Sequence, residues 1–518
     1  MGWDENGQFA FVTKAKDPKG HPLDDALVPQ GILGRERISR LYEYHVLFRV
    51  REDHGPLSRE EIDALLLAPA AVALGRQEGD IVARGVVAWI EQVDTATASY
   101  SYAAKLVPHV SLLAHARTSR VFLGKSPVDI VTEVLGEYGL KQTDRTTFRQ
   151  LDVSAAAREA REYVVQYEES DWDFVQRWLE REGIFYWFEA GKKGEQLVLA
   201  DHNARFTEHE ADIPWARNPE GEAAALSDLC ARRQRLAARV ELLDYTDRSP
   251  TALVRGRSPV DGHIGFGTVF SFGEHLTGKS EADRLAKARA ERLLAERDTY
   301  TASVNFVRLR AGHVFRLVGH DAAGRYVVTG AEHRVGRRFR VEERTAFRSE
   351  RIVVEREPGQ RAMGDRILGR LELVSCEDQE HPDRVVYRPE RLTPWPRIDG
   401  VLLGHIEEDT EGKYAQLDPE GRYRVKLPFD LSGHAGSRAS HWVRMAEPYT
   451  GRGYGTHFPL HRGAEVLLAH VGGDPDRPLI VAAVPNPETT SPVIDETSTQ
   501  SRIRTASGIQ IEMEDREG

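Results

Sequence analysis

Residues 163–189 read YVVQYEESDWDFVQRWLEREGIFYWFE, with four carboxylates crowded ahead of a run of aromatics. Such crowding fits either a pair of acid/base groups or the first turn of a helix. Ser170 stands three residues before Asp173, an S-x-x-D capping box, and Glu168, Glu169 and Asp171 fall where the positive end of a helix dipole favours anions. Phe174, Val175, Trp178 and Leu179 then recur at helical spacing, and Gly183 suits the left-handed residue that stops a helix before a strand over 184–188. The stretch predicts strand, helix, strand, with its acids as caps. No histidine or metal motif stands beside them to make a catalytic pair.

Outward from this stretch the chain is mostly strands. In YEYHVLFRV, Tyr42, Tyr44, Val46, Phe48 and Val50 share one face while Glu43, His45 and Arg49 share the other, the pattern of a half-buried antiparallel strand. GVVAWIEQV from Gly85 and YSYAAKLV from Tyr100 extend the same pattern toward a barrel-like first region. A second helix is expected near 126–138, where Ser126, Pro127 and Asp129 give a capped start and Gly139 a stop.

Composition excludes several partners. Asp plus Glu number 81 against 70 Lys plus Arg, a formal net charge of −11, so no basic field draws nucleic acid or an anionic membrane. With 40% apolar residues over 518, the chain can bury several cores. Cys230 and Cys376 lie far apart and match no metal spacing, which predicts reduced, buried thiols. The start, MGWDENGQFAFV, has neither a basic nor an apolar leader segment, so export would proceed without a signal peptide.

Gly273, Gly278, Lys279 and Ser280 satisfy G-x-x-x-x-G-K-S, between an apolar run and a helix expected near 280–297. In a nucleotide site the loop amides would cradle phosphates, Lys279 would neutralise them and Ser280 would hold magnesium. Such loops sit in parallel sheets, whereas the surroundings here read as antiparallel, and the acidic strand VELLDY precedes the loop. The alternative is a helix capped by Ser280, with Glu281 and Asp283 in its first turn. H-E-x-x-H, G-x-S-x-G and C-x-x-C are missing, and EHEAD and DQEHPD read as exposed acidic loops. No catalytic residue, cofactor or metal set is assigned.

The last quarter is more regular. Beyond LTPWPRIDG come five short strands, VLLGHIEE, RYRVKLPFD, HWVRMAEP, GAEVLLAHV and PLIVAAVPN, in about 90 residues, which suits an OB-fold barrel. Asp418-Pro-Glu-Gly421 and the 472–478 run GGDPDRP supply the turns, and GRGYG at 451–455 is a loop, since no helix follows it.

Taken together, the 163–189 stretch, GRYRVKLPFD, WVRMAEP and RGAEVLLAHVGGDPDRP with the following Asn486 closely resemble VgrG, the trimeric spike family of type VI secretion, related to myovirus tail hub and spike proteins. LVPHVSLLAHARTSRVF, with Pro108, Leu113, Ser119, Arg120 and Phe122, is similar to that family's hub pattern. The resemblance covers nearly the whole chain. It implies a mainly β fold with minor helices: a hub of two barrel-like β domains with helical insertions over 1–395, an OB-fold barrel over 396–486, and a connector and the start of a trimeric β-helix needle over 487–518.

The final segment fits that expectation, because SRIRTASGIQIEMEDREG puts Ile509, Ile511 and Met513 on one face and Gln510, Glu512 and Glu514 on the other. One strand cannot bury such a face, whereas three around an axis can, so these three residues are the expected needle core. The family continues through a longer needle than the sequence that stops at Gly518, and no lysozyme-like insertion separates barrel and needle. The resemblance further implies a homotrimer assembled in the cytoplasm and then secreted or injected. Its partners would be a hexameric, Hcp-like tube protein, baseplate components, a PAAR-type tip where the needle is complete, and effectors or adaptors. The spike of a phage-like or extracellular contractile particle is the alternative within the same fold, and a P-loop enzyme the alternative outside it.

Overall fold

The computed structural model describes residues 4, 7–75, 81–95, 98–140, 148–150, 153, 159–191, 194–217, 224–344, 349–354, 368–376, 386–407, 414–430 and 441–515. The chain divides into two compact units. The first comprises Met1–Ala116, Pro127–Arg158 and Asp171–Thr393, and the second Arg117–Ser126, Glu159–Ser170 and Pro394–Gly518. Two stretches that fall inside the hub expected over 1–395, 117–126 and 159–170, group with the second unit. The strands Arg117–Lys125 and Arg161–Ser170 pair with each other, and Tyr163 and Val165 enter the core of the second unit beside Ile406, Tyr423, Val425, Val443, Val466, Leu468 and Ile480. Local periodicity identifies a strand but not the core it fills, which here lies over two hundred residues further along.

The first unit is built on a continuous 13-stranded sheet, which carries the strands expected of the barrel-like hub. Its middle strand is Glu43–Val50, paired on one side with Leu27–Arg37 and on the other with Ala98–Val107. Tyr42, Tyr44, Val46, Phe48 and Val50 are buried as predicted, but His45 and Leu47 on the opposite face are buried too. The hairpin Phe339–Arg344/Ser349–Val354 supplies Phe339 and Ile352 to a cluster with Leu33, Leu47 and Ala103, so both faces are covered.

Four α-helices are described: α1 (Arg59–Leu67), α2 (Pro127–Glu137), α3 (Asp171–Glu182) and α4 (Lys279–Ala295). Sequence reasoning passed over α1, although Ser58 and Glu61 form a full capping box at its start. Helices α2 and α3 stop where glycine takes a positive φ, at Gly139 and Gly183. The stripe Phe174, Val175, Trp178 and Leu179 is buried, yet so are Gln176, Arg177, Glu180, Arg181 and Glu182. Helix α3 is thus enclosed on nearly every side, beyond the single apolar stripe read from the sequence.

In the second unit the five expected strands appear as Val401–Ile406, Tyr423–Lys426, His441–Val443, Glu465–His470 and Pro478–Ala483. They form a five-stranded antiparallel sheet whose curl brings Met445 to a single bridge with Ile480. The turn before Tyr423 has the chemistry anticipated: the Asp418 carboxylate accepts from the Glu420 and Arg422 amides, and Gly421 takes φ +75°. GRGYG forms a small hairpin pairing Thr450 with Gly455. Among the described residues no helix is long and apolar enough to cross a membrane.

Candidate assembly surface

The C-terminal segment folds as a hairpin, Gln500–Arg504 against Gln510–Glu514. Its turn is closed by the Thr505 and Gly508 amides, with Gly508 at φ +94°. The register pairs Ile503 with Ile511 and Ser501 with Met513, so these residues share a face with Ile509, while Gln500, Arg502, Gln510, Glu512 and Glu514 share the other. The polar face is laced by Arg502 to Glu512 at 3.0 Å and Gln500 to Glu514 at 3.0 Å. The apolar face is bare: Ile503 is 45% exposed, Ile509 69%, Ile511 58% and Met513 63%. Ile503 had been missed, although its place in S-R-I-R ahead of the TASG turn carries the same alternation. A contiguous apolar face of this kind on a polar hairpin marks an interaction surface.

The phosphate-loop match resolves differently. Gly273 has φ +82°, but α4 begins with Gly278 as its cap, and Ser280 is its second residue, not the cap expected. The nearby sheet is not purely antiparallel either: Arg239–Asp244 pairs parallel with Thr268–Phe272 and antiparallel with Val254–Pro259. The anion position at the helix start is filled from within. Glu281 accepts from the Thr277 amide and hydroxyl, both at 2.8 Å, and from Arg181 at 3.0 Å. Lys279 points away to pair with Asp283 at 2.6 Å in solvent. A carboxylate held where a phosphate would sit repels one.

The buried acids serve the fold in the same way. In α3, Arg181 bonds Glu182 at 2.5 Å and Glu281, Arg284 bonds the other oxygen of Glu182 at 2.6 Å, and Glu180 accepts from the Leu392 and Thr393 amides. Asp171 accepts from the Tyr138 hydroxyl at 2.7 Å, while Asp173 is exposed. Deeper in the sheet, Arg310 grips both oxygens of Glu36. Burial opposes ionisation of Glu36, but the guanidinium outweighs it and holds the carboxyl below its usual range.

Glu43, His45 and Glu350 lie close enough to suggest a metal site, but Lys105 bridges the two carboxylates, 2.8 Å from Glu43 and 2.9 Å from Glu350. The hydrogen bond from His45, with the Lys105 ammonium, brings Glu350 down to about 2. Glu195 goes the other way: burial pushes it up to about 7, against bonds from Tyr42 and the His109 amide. The Tyr42 hydroxyl also touches the Arg84 carbonyl.

Where buried thiols were expected, Cys230 is exposed, beside a register shift between Ser227 and Cys230 in its edge strand, and Cys376 is half-buried. The EHEAD loop is exposed as expected at Glu208, Glu210 and Asp212, and DQEHPD lies outside the described residues.

Comparison with known proteins places these features in context. A family model described as phage tail baseplate hub (GPD) matches residues 35–338, and one described as type VI secretion system/phage-baseplate injector OB domain matches 413–484. Two similar curated proteins are the type VI secretion system spike proteins VgrG1b and VgrG1a of Pseudomonas aeruginosa, 26% and 27% identical, each over 95% of this chain. The chain spans 64% of the length of the first and 74% of the second. Among solved structures, the E. coli c3393 protein shares the fold with a TM-score of 0.59 at 20% identity, over 88% of this chain and 97% of that one. Its description makes it a component of the type VI secretion system with structural similarity to the T4 bacteriophage tail proteins gp27 and gp5.

Proposed function

Because the chain belongs to the phage tail baseplate hub (GPD) family, we propose that it is the hub-and-spike subunit of a contractile type VI secretion apparatus and works as a homotrimer. The reading is supported by the C-terminal hairpin, whose apolar face is left exposed among the described residues. Three hairpins wound about one axis would bury Ile503, Ile509, Ile511 and Met513 against their symmetry mates, each side chain contributing roughly 1.5–3 kcal/mol. The hub unit would nucleate a tube of hexameric, Hcp-like protein and seat on baseplate components. A needle continuing past the hairpin would take a PAAR-type tip, and effectors or adaptors would ride on the spike. The work is mechanical: sheath contraction drives the assembly from the cytoplasm into the target membrane. Buried carboxylates already paired with arginine and backbone suit a part that must stay rigid under load.

The experiment is light-scattering mass across protein concentration. Wild type should reach three times the chain mass. Ile511→Asp would set three like charges near the axis, where unpaired burial is costly, and should shift the population toward monomer. The assembly would carry three times −11, or −33, so moderate salt should aid association. A wild type that stays monomeric at every concentration would sink the trimer reading.

A further inference from the structure

The small sheet beside α4 presents a second bare surface. Its order is Val254–Pro259, Arg239–Asp244, Thr268–Phe272, which leaves Thr268–Phe272 at the edge with one side of its backbone unpaired among the described strands. Val240 and Leu242 are buried with Ala282, Leu285, Ala286 and Ala290 of α4, and Ser271 on their face receives Arg289. The other face reads directly from the register. Arg257, Glu241 and Phe270 form one row, Arg255, Leu243 and Phe272 the next, and Arg239 stands beside Thr268. Phe270 is 56% exposed and Phe272 61%, with Phe266 just before the strand at 81%. Three arginines against one glutamate leave this face at about +2 on a chain of net charge −11.

We infer that this arginine–phenylalanine face is a contact between copies of the chain in the hub, with Thr268–Phe272 as its edge. The inference rests on the homotrimer reading and gives it a second surface. Four apolar side chains on the C-terminal hairpin, at about 1.5–3 kcal/mol each and 25 cal/mol per Å², correspond to roughly 240–480 Å² per chain. A stable interface takes about 800 Å² from each partner, so the hairpin alone falls short. Exposed aromatics and arginine without lysine are the composition of an interface centre. The edge strand carries neither proline nor lysine, the usual guards against strand addition. A positive patch on an acidic chain complements the surface of another copy. A nucleic acid fits less well, since Glu241 bonds Arg257 and lies within ion-pair distance of Arg255, and the rest of the chain repels phosphate.

The test uses the full chain and two double variants, Phe270→Ser with Phe272→Ser, and Arg255→Glu with Arg257→Glu. All four side chains are exposed, so thermal unfolding at low concentration should stay that of wild type. Each pair should weaken trimer association at least about tenfold by mass against concentration, the scale of truncated interface-centre residues. In wild type, amide exchange over 268–272 should slow as concentration rises through the assembly range, a measurement that needs no variant. A trimeric wild type indifferent to both pairs, with unchanged exchange at the edge strand, overturns this inference alone. A monomeric wild type overturns the trimer reading and this contact with it. Saturable binding of a single-stranded oligonucleotide, lost in the arginine pair, would assign the face to nucleic acid and overturn it as well.

Discussion

Helix α3 and the C-terminal hairpin are written in the same alphabet, apolar residues interleaved with carboxylates and arginines, and they end in opposite environments. In α3 nearly every side chain is buried, and Glu180, Glu182 and Arg181 find partners from α4 and from the 392–393 backbone. In the hairpin the polar residues find one another across the strands and the apolar ones stay exposed. Charge therefore predicts exposure poorly. What decides is whether another element of the same chain reaches the residue with the complementary group.

That contrast breaks most sharply at Trp178. Trp178→Ala should cost about 3–5 kcal/mol in denaturant unfolding, because the indole is enclosed and its removal leaves a cavity. A loss under 1 kcal/mol would mean that α3 is no more enclosed than the hairpin.

A smaller effect should follow pH. The Glu195 carboxyl, raised to about 7 when folded, is ordinarily near 4.5. The unfolded chain thus binds fewer protons between those values, and Glu195's contribution to stability is full below about 4.5 and lost as pH rises through 7. Glu350 has the reverse sign: brought down to about 2, it contributes above 4.5 and loses that contribution as pH falls toward 2. Glu195→Gln should therefore gain on wild type as pH rises from 5 to 8 in urea titrations, since the amide can still accept from the His109 N–H without ionising. Parallel curves for the two proteins would show that the site does not titrate.

The smallest effect belongs to Lys279. Its pair with Asp283 lies in solvent, so Lys279→Ala should change stability by less than about 0.5 kcal/mol. The wild-type protein should show no saturable, magnesium-dependent ATP binding by calorimetry. Binding lost in the variant would mean that Glu281 yields its place to phosphate.

The sequence shows best what one segment settles alone. Gly139 and Gly183 stop their helices, Asp418 and Gly421 make their turn, and the alternation Ile509, Ile511, Met513 lies on one face. What stayed hidden needed a partner distant in the chain. Nothing in YEYHVLFRV says that Phe339 and Ile352 will cover Leu47, or that Glu350 will bond His45. Nothing in G-x-x-x-x-G-K-S says that Glu281 will turn back onto Thr277 and Arg181. The arginine–phenylalanine face was equally silent, since Phe270 and Phe272 read locally as an ordinary strand.

The division of the chain into units has a mechanical corollary. The backbone passes between them at 116/117, 126/127, 158/159, 170/171 and 393/394, five times in all. They are therefore not beads on a string: a pull on one reaches the other through several covalent lines in parallel, and no single proteolytic cut can part them. A fragment ending at residue 393 would keep the strands Arg117–Lys125 and Arg161–Ser170 but lose the core that receives Tyr163 and Val165, leaving two threads torn from a seam.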